Sequence, residues 1–213
     1  MKGLKKITLL PARERVASEL RKAIYSGEFK KNQELTLDQV SSSLGVSVTP
    51  VREAFQMLAQ ENLIKLRPNK EAIVVGVSPG FVEDHYEARK IVEGSMIDLI
   101  RDKESDISQI EEVLYQSRQC VEEGDISMYS ELNQAFHVAI WNAGQNTQLK
   151  NIASSLWNGL SMSAVATSEE YAAVSLAEHE KLVEALQKKD YALAKKLMED
   201  HIVRSKTDML TRF

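Results

Sequence analysis

The chain has 213 residues, of which 43% are hydrophobic and 27% are charged, and its formal net charge is −4. This size allows one large core or two modest ones, and two domains are the better expectation. No apolar run approaches the roughly 18 residues that a membrane helix needs, so we expect no membrane span. The apolar stretch before Pro11 is too short for a signal peptide, which predicts a cytoplasmic protein. The single cysteine, Cys120, excludes an intramolecular disulfide and is expected to be buried.

Charge divides the chain into two unlike parts. The first 76 residues hold 13 Lys and Arg against 8 Asp and Glu, whereas the remainder holds 14 against 23. Such a division fits ordinary surface variation, and it also fits a nucleic-acid contact confined to the basic part. Phosphate neutralisation is the main non-specific term in nucleic-acid binding, so the second interpretation has a physical basis.

Two helices are predicted before residue 46. The first follows Pro11 and ends near Gly27, where glycine can close a helix. Its apolar residues recur at helical spacing: Val16, Leu20, Ala23 and Ile24. The second is short, because a capping box of Thr36 and Gln39 begins it and Gly45 ends it. Its apolar stripe consists of Leu37, Val40 and Leu44.

A third helix and a hairpin follow. Thr49 is predicted to cap this helix, with Pro50 at its first position. Its inward residues are expected to be Val51, Ala54, Phe55 and Leu58. Residues 63–66 and 72–77 are short, β-prone apolar runs on either side of residues 67–70. This pattern predicts a β-hairpin with a basic tip.

The order helix, short helix, turn, helix, hairpin is typical of a winged helix-turn-helix, whose third helix enters the DNA major groove. Four polar residues lie at the start of the third helix or on its outer face: Ser47, Thr49, Arg52 and Gln56. Arg52 can read guanine or hold a phosphate, and the hydroxyl groups suit phosphate oxygens. A small helical hairpin of unrelated purpose would show the same periodicity.

From Ser78 and Pro79 onward the pattern predicts about six helices and no strand. The candidate caps between them are Ser105, Asp125, Asn146, Ser168 and Asp190. Each helix has one apolar stripe, as in the sets Val92, Met96 and Leu99; Ile107, Ile110 and Leu114; and Leu132, Phe136 and Ile140. We therefore expect an all-α antiparallel helical bundle.

Three histidines, His137, His179 and His201, lie on the apolar faces of three different predicted helices. A lone inward histidine is usually a core residue with one hydrogen bond. Three of them also suit a divalent transition metal, because neutral imidazoles on facing helices are its preferred ligands. Asn133 lies one turn before His137, so both side chains leave the same face.

Two segments of the basic part resemble a known family. The stretches GVSVTPVREAFQMLAQENLI and AIYSGEFKKNQELT are similar to the recognition-helix region and the preceding region of the GntR family of bacterial regulators. The resemblance implies that Thr49, Pro50 and Arg52 contact DNA, with Asn69 and Lys70 at the wing tip. Two departures from the family's usual sequence, Asp38 and Val48, remove possible base or phosphate contacts. Glu71 replaces the usual wing-tip glycine, which disfavours a close approach of the backbone to the minor groove. The operator sequence therefore cannot be transferred from relatives.

The acidic part resembles, more weakly, the FCD domain of the FadR-type branch of that family. The resemblance rests on ARKIVEGSM, LNQAFHVAIWNAGQNTQL and EHEKLVEALQKKDYALAKKLMEDHI. It implies a zinc or nickel ion held by His137, His179 and His201, with Asn133 standing where the family has aspartate. Arg89, which is also spaced for an i,i+4 ion pair with Glu93, is implied to bind an effector carboxylate.

The resulting hypothesis is a mainly α protein with a winged helix-turn-helix DNA-binding domain at 1–77 and an FCD-like helical domain for effector binding and dimerisation at 78–213. It would be a homodimeric repressor or activator that binds a double-stranded DNA operator and responds to a small organic acid. Two alternatives stay open. One is a metal-free sensor for an acyl or sugar-acid ligand, and the other is a helical-bundle metalloenzyme in which three histidines help a metal to activate water.

Overall fold

The computed structural model describes residues 11–68, 71–157 and 169–211. The chain divides into two compact units, one ending at Val77 and the other beginning at Ser78. The first contains α1 (Ala12–Tyr25), β1 (Glu34–Thr36), α2 (Leu37–Leu44), α3 (Val48–Gln60), β2 (Ile64–Arg67) and β3 (Glu71–Val74). The second contains α4 (Pro79–Asp102), α5 (Ser108–Glu123), α6 (Ile126–Ala143), α7 (Thr147–Trp157), α8 (Glu169–Gln187) and α9 (Tyr191–Leu210). This architecture confirms the predicted fold class.

The predicted wing-tip residues Asn69 and Lys70 and the predicted cap Ser168 lie outside the described residues. Within the described part of the chain, no helix is both long and apolar enough to cross a bilayer.

The core of the first unit forms where α1 packs against α3. The predicted inward residues of α3 are all buried: Val51, Ala54, Phe55 and Leu58. From α1 they meet Val16, Ala17, Leu20 and Ile24, which are also buried. The helical spacing of these apolar residues therefore places one continuous stripe of each helix in the core.

Both ends of α2 follow the predicted chemistry. The Thr36 side chain accepts from the Gln39 backbone N–H at 3.2 Å, and the Gln39 side chain accepts from the Thr36 backbone N–H at 3.2 Å. Gly45 closes α2 in the left-handed region, with φ of 64°. Leu44 is exposed, so the α2 stripe is one residue shorter than predicted.

The predicted start of α3 was wrong by two residues. The helix begins at Val48, and Ser47 is its N-cap residue, although the Ser47 side chain makes no capping hydrogen bond. Thr49 and Pro50 both lie inside the first turn. Proline is tolerated there because the first four backbone N–H groups of a helix have no intrahelical acceptor.

The three strands form one antiparallel sheet in the order β1-β3-β2. Leu35 lies opposite Ala72, and Ile64 lies opposite Val74. The hairpin of β2 and β3 confirms the predicted wing, with ends shifted by one to three residues. β1 was not predicted, because three residues are too few to show a strand period.

An ion pair joins α1 to the end of α3. The Arg21 side chain is 7% exposed, and its Nε and Nη2 atoms each donate to Glu61 at 2.6 Å. We expect Glu61→Ala to lower the local free energy of unfolding by about 2 kcal/mol, because it leaves a buried guanidinium unpaired. Hydrogen exchange of α1 peptides in the full chain measures the change.

The control for this prediction is Glu19→Ala, which removes an exposed i,i+3 pair with Lys22 on α1. That change should alter exchange by less than about 0.5 kcal/mol. Equal exchange of α1 in the two variants would show that the Arg21 pair contributes nothing to the docking of the helices.

The second unit is a bundle of six helices among the described residues. α4 packs against α9, α7 and α6, while α5 packs against α6 and α8, and α8 packs against α9. The caps of α6 and α9 are confirmed: Asp125 accepts from the Met128 N–H, and Asp190 accepts from the Leu193 N–H, each at 3.0 Å. α6, α8 and α9 therefore run through one shared core, which is where the candidate site lies.

Two details of the bundle differ from the sequence-based prediction. Ser105 caps nothing, because α5 begins three residues later and the Asp106 side chain accepts from the Ser108 N–H at 3.0 Å. The α4 stripe is rotated, with Val92 and Leu99 only half-buried. Its buried residues around Met96 are Glu93, Ile97 and Ile100. The stripe was misplaced because it contains a buried glutamate, and charged residues are normally expected on the solvent-exposed face of a helix.

Candidate functional site

Three histidines meet in the core of the second unit, as the sequence predicted. α6 provides His137, α8 provides His179 and α9 provides His201, and none is more than 4% exposed. Each offers a ring nitrogen, and these atoms all lie within 4.8 Å of one another. We call these three residues the histidine triad.

Two carboxylates hold the triad from outside. His137 Nδ1 lies 2.5 Å from Glu93 Oε2, and His201 Nδ1 lies 2.6 Å from Glu178 Oε2. A carboxylate on one ring nitrogen fixes the ring orientation and raises the basicity of the other nitrogen. This arrangement is the one found around metal-ligating histidines.

Ring nitrogens of the triad are left without partners. The described residues contain six buried side-chain N or O atoms without a hydrogen-bond partner, and three of them are His137 Nε2, His179 Nδ1 and His179 Nε2. Buried polar atoms are almost always satisfied, so this cluster of nitrogens offers donor atoms that a ligand can bind. His179 is otherwise held by packing, with its ring stacked on Phe136 at a centroid distance of 3.9 Å.

The environment keeps two of these imidazoles neutral. Burial lowers the pKa of His179 well below its ordinary value, and the neighbouring His201 and His137 lower it further. Burial also lowers the pKa of His201 to about 4, although its hydrogen bond with Glu178 opposes this shift. Neutral imidazoles have a free lone pair, which is the form that binds a metal.

Asn133 lies one turn before His137 on α6 and is 4% exposed. Its Oδ1 accepts from the Ser175 hydroxyl at 3.5 Å, and Ser175 lies one turn before His179 on α8. The Asn133 and Ser175 pair thus continues the α6–α8 contact by one turn beyond the two histidines. The amide can offer an oxygen to a ligand at this level, but it carries no charge.

Arg89 points into the bundle and is engaged there by Glu93. The Arg89 Nε and Nη2 atoms donate to Glu93 Oε1 at 2.9 and 2.7 Å, and both side chains are at most 3% exposed. Trp141 Nε1 donates to Glu93 Oε2 at 3.1 Å. Burial raises the pKa of Glu93, but the charge of Arg89 and the hydrogen bonds with His137 and Arg89 outweigh it and keep this carboxylate ionised. Both oxygens of Glu93 are therefore occupied.

A second ion-pair network surrounds Glu178. The Arg204 Nη2 atom donates to Glu178 Oε2 at 2.7 Å, and its Nη1 atom donates to Asp208 at 2.6 Å. The Arg204 guanidinium lies over the Tyr171 ring, 4.6 Å from its centroid. The contact of Glu178 with the triad was not predicted from the sequence. The residue directly precedes His179 in the sequence, but it contacts His201 on the next helix, and sequence spacing carries no sign of that pairing.

The outer face of α3 is exposed and polar. Four of the predicted DNA contacts are exposed: Ser47, Thr49, Arg52 and Gln56. Pro50 is half-buried. Arg52 makes no ion pair with any residue that the structure describes. An exposed, unpaired guanidinium in the first turns of a helix is free to contact phosphate or a base edge.

Comparisons with protein families cover most of both units. Residues 84–204 match the family described as the FCD domain. Residues 12–74 match the family described as bacterial regulatory proteins of the gntR family. The two matches coincide with the helical bundle and with the helix-turn-helix and wing.

Individual proteins resemble the chain along most of its length. The uncharacterized HTH-type transcriptional regulator YdhC of Bacillus subtilis is 25% identical over 189 residues, covering 86% of this chain and 84% of that protein. The gluconate operon transcriptional repressor of Bacillus subtilis is 28% identical over 192 residues, covering 84% and 77%. The solved structure of E. coli McbR/YncC has a TM-score of 0.73 at 20% identity and covers 96% of this chain and 99% of that one. This last likeness concerns the fold alone.

Proposed function

Because the chain belongs to the GntR family of bacterial regulatory proteins and is a transcription regulator with an FCD effector-binding domain, we propose how its two units act. The first unit binds a DNA operator through α3, and the second holds a divalent metal that anchors a small organic acid. Binding of the acid changes the affinity for DNA. The observation that carries the metal and effector part is the buried histidine triad with its unpartnered nitrogens.

DNA recognition by α3 is supported by the exposure and polarity of its outer face. Ser47, Thr49 and Arg52 lie in or just before the first turns, where backbone N–H groups also favour phosphate. Gln56 lies one turn after Arg52 on the same exposed face. Pro50 lies inside the first turn of the same helix. The wing-tip residues Asn69 and Lys70 complete the proposed contact.

We propose a homodimer, because regulators of this family often form dimers and an operator with two half-sites matches a two-fold protein. The distance between two recognition helices is then the quantity that effector binding changes. The effector must have different affinities for the two arrangements, since equal affinity would shift nothing.

The proposed metal ligands are His137, His179 and His201, with the Asn133 oxygen as a fourth donor. This donor set fits zinc or nickel, because both accept imidazole nitrogen and zinc also accepts oxygen. A bound metal would act as a Lewis acid that anchors the effector carboxylate. Glu93 and Glu178 orient two of the imidazoles toward that task.

The proposed effector is a small organic acid, and we favour a hydroxylated acid such as a sugar acid. One relative is named as the repressor of a gluconate operon. Arg89 remains the proposed side-chain contact for the acid, with its guanidinium also paired to Glu93. The Tyr129 hydroxyl is buried near Ser175, so the core has polar groups to offer a hydroxylated ligand.

Two observations weigh against the alternative functions. A sensor for an acyl chain would need an apolar pocket, whereas the triad presents unsatisfied nitrogens. A metalloenzyme would need a general base, and both carboxylates that contact the triad are already bound by an arginine and a histidine.

Metal content tests the proposed site. We expect the purified chain, loaded with zinc or nickel and desalted in buffer that contains acetate, lactate and gluconate, to retain one metal ion per chain, measured by elemental analysis. His179→Ala should lose most of it, because two unpartnered ring nitrogens disappear while no hydrogen bond within the described residues is broken.

The matched control is His85→Ala, which removes a histidine on α4 that stacks on Phe81 and lies outside the triad. It should retain metal like the unchanged chain. Equal metal content in all three proteins would show that the triad holds no metal.

A further inference from the structure

The charges around the histidine triad cancel one another. Glu93, which contacts His137, is neutralised by Arg89 at 2.7 Å. Glu178, which contacts His201, is neutralised by Arg204 at 2.7 Å. A further carboxylate, Asp208, pairs with Arg204, but its side chain is 33% exposed and solvent screens it. Within the described residues, the triad therefore has little net negative charge beside it.

The proposed ligand set adds no charge either. Asn133 is an amide, and histidine binds a metal through its neutral imidazole, so all four donors of the proposed set are uncharged. A divalent cation at this site would place two positive charges in a region where no histidine is more than 4% exposed. Buried charge without a counter-charge is strongly unfavourable. The site as built thus lacks the anion that a firmly held metal needs.

We propose that the metal and the effector acid are bound as a pair, and that the effector carboxylate supplies the negative charge that Asn133 does not provide. The metal is then held firmly only when the acid is present, and the acid only when the metal is present. The factor by which the acid tightens metal binding must equal the factor by which the metal tightens acid binding, because coupling between two binding equilibria is reciprocal. This inference rests on the proposed function and makes the regulator respond to both ligands together.

Asn133→Asp isolates the charge with little change of shape. Aspartate has the same number of side-chain heavy atoms, and its carboxylate can accept from the Ser175 hydroxyl as Asn133 Oδ1 does now. The variant therefore adds one negative charge to the proposed ligand set and keeps the observed hydrogen bond. A matched control is Asn142→Asp, which adds the same charge at an exposed position of the same helix.

The experiment measures zinc affinity of the full chain by competition with a chromophoric chelator, in buffer without carboxylates and then with added acids. The probes are acetate, lactate and gluconate, each compared with an uncharged counterpart: acetamide, lactamide and sorbitol. We expect at least one acid to tighten zinc binding to the unchanged chain by tenfold or more, within the roughly 5- to 150-fold range of coupled sites. Uncharged counterparts should have no effect.

The zinc affinity of Asn133→Asp is a second test, and its result does not depend on the identity of the effector. In carboxylate-free buffer this variant should bind zinc at least tenfold more tightly than the unchanged chain, and added acids should tighten its binding less. Asn142→Asp should behave like the unchanged chain. The coupling is overturned if the unchanged chain binds zinc firmly without any acid and Asn133→Asp binds no more tightly. If neither protein binds zinc under any condition, the metal site itself, and with it the proposed function, is overturned.

Discussion

Arg52→Ala is expected to weaken binding of selected operator DNA by roughly ten- to a hundredfold for each half-site. One bidentate contact between arginine and a base contributes about 1–3 kcal/mol, and each 1.4 kcal/mol is a factor of ten. In a dimer both copies lose the contact, so the total loss is larger. The DNA is a fragment that the chain selects from a randomised duplex library, and fluorescence anisotropy measures its affinity at fixed salt.

The change should act on DNA binding and not on folding. Arg52 is exposed and makes no ion pair within the described residues, so the melting temperature should not move. Arg101→Ala, which removes an exposed arginine at the end of α4 in the second unit, controls for the lost net charge. If both variants bind the selected DNA as tightly as the unchanged chain, α3 does not read the operator.

Glu93→Gln is expected to destabilise the second unit by about 3 kcal/mol and to weaken zinc binding by roughly ten- to a hundredfold. The carboxylate accepts from Arg89 on one oxygen and lies against His137 and Trp141 on the other. The NH₂ group of a glutamine cannot accept a hydrogen bond. Whichever of the two oxygen positions it takes, it would face N–H donors and lose the contact there. The change also leaves the buried Arg89 charge without its counter-ion.

Urea unfolding followed by tryptophan fluorescence reports the stability change, because both tryptophans lie in the second unit. The control is Glu87→Gln, an exposed position on the same helix, which should change stability by less than about 0.5 kcal/mol. A Glu93→Gln protein that unfolds at the same urea concentration as the control would contradict a structural role for the Arg89 and Glu93 pair. Unchanged zinc affinity would contradict the role of Glu93 in orienting His137.

Much of the first unit was predictable because local chemistry determines its turns. The capping box at Thr36 and the left-handed Gly45 are short-range signals, and both are in the structure. The stripe of α3 was likewise correct, since its period is helical over more than two turns. The start of α3 was misplaced because Ser47 and Thr49 are equally good capping residues by type. The strand β1 was missed because its pairing with β3 is non-local.

The candidate site was only partly predictable. The inward position of the triad follows from helical periodicity, which locates a residue on a face of its own helix. The partners of the triad depend on how different helices pack, and helical period does not contain that information. Glu93 was predicted only as half of an i,i+4 pair with Arg89, and its contact with His137 spans 44 positions. The contact of Glu178 with His201 was not predicted at all.

The most direct test of the account is the affinity of the full chain for selected operator DNA, measured with and without zinc and each acid of the panel above. The central claim is that the triad controls DNA binding by the first unit. It predicts at least a fivefold change in the Kd of the unchanged chain when zinc and one acid are both present, and no change in His179→Ala. A Kd that is unaffected by every combination, or that changes equally in His179→Ala, would contradict the claim.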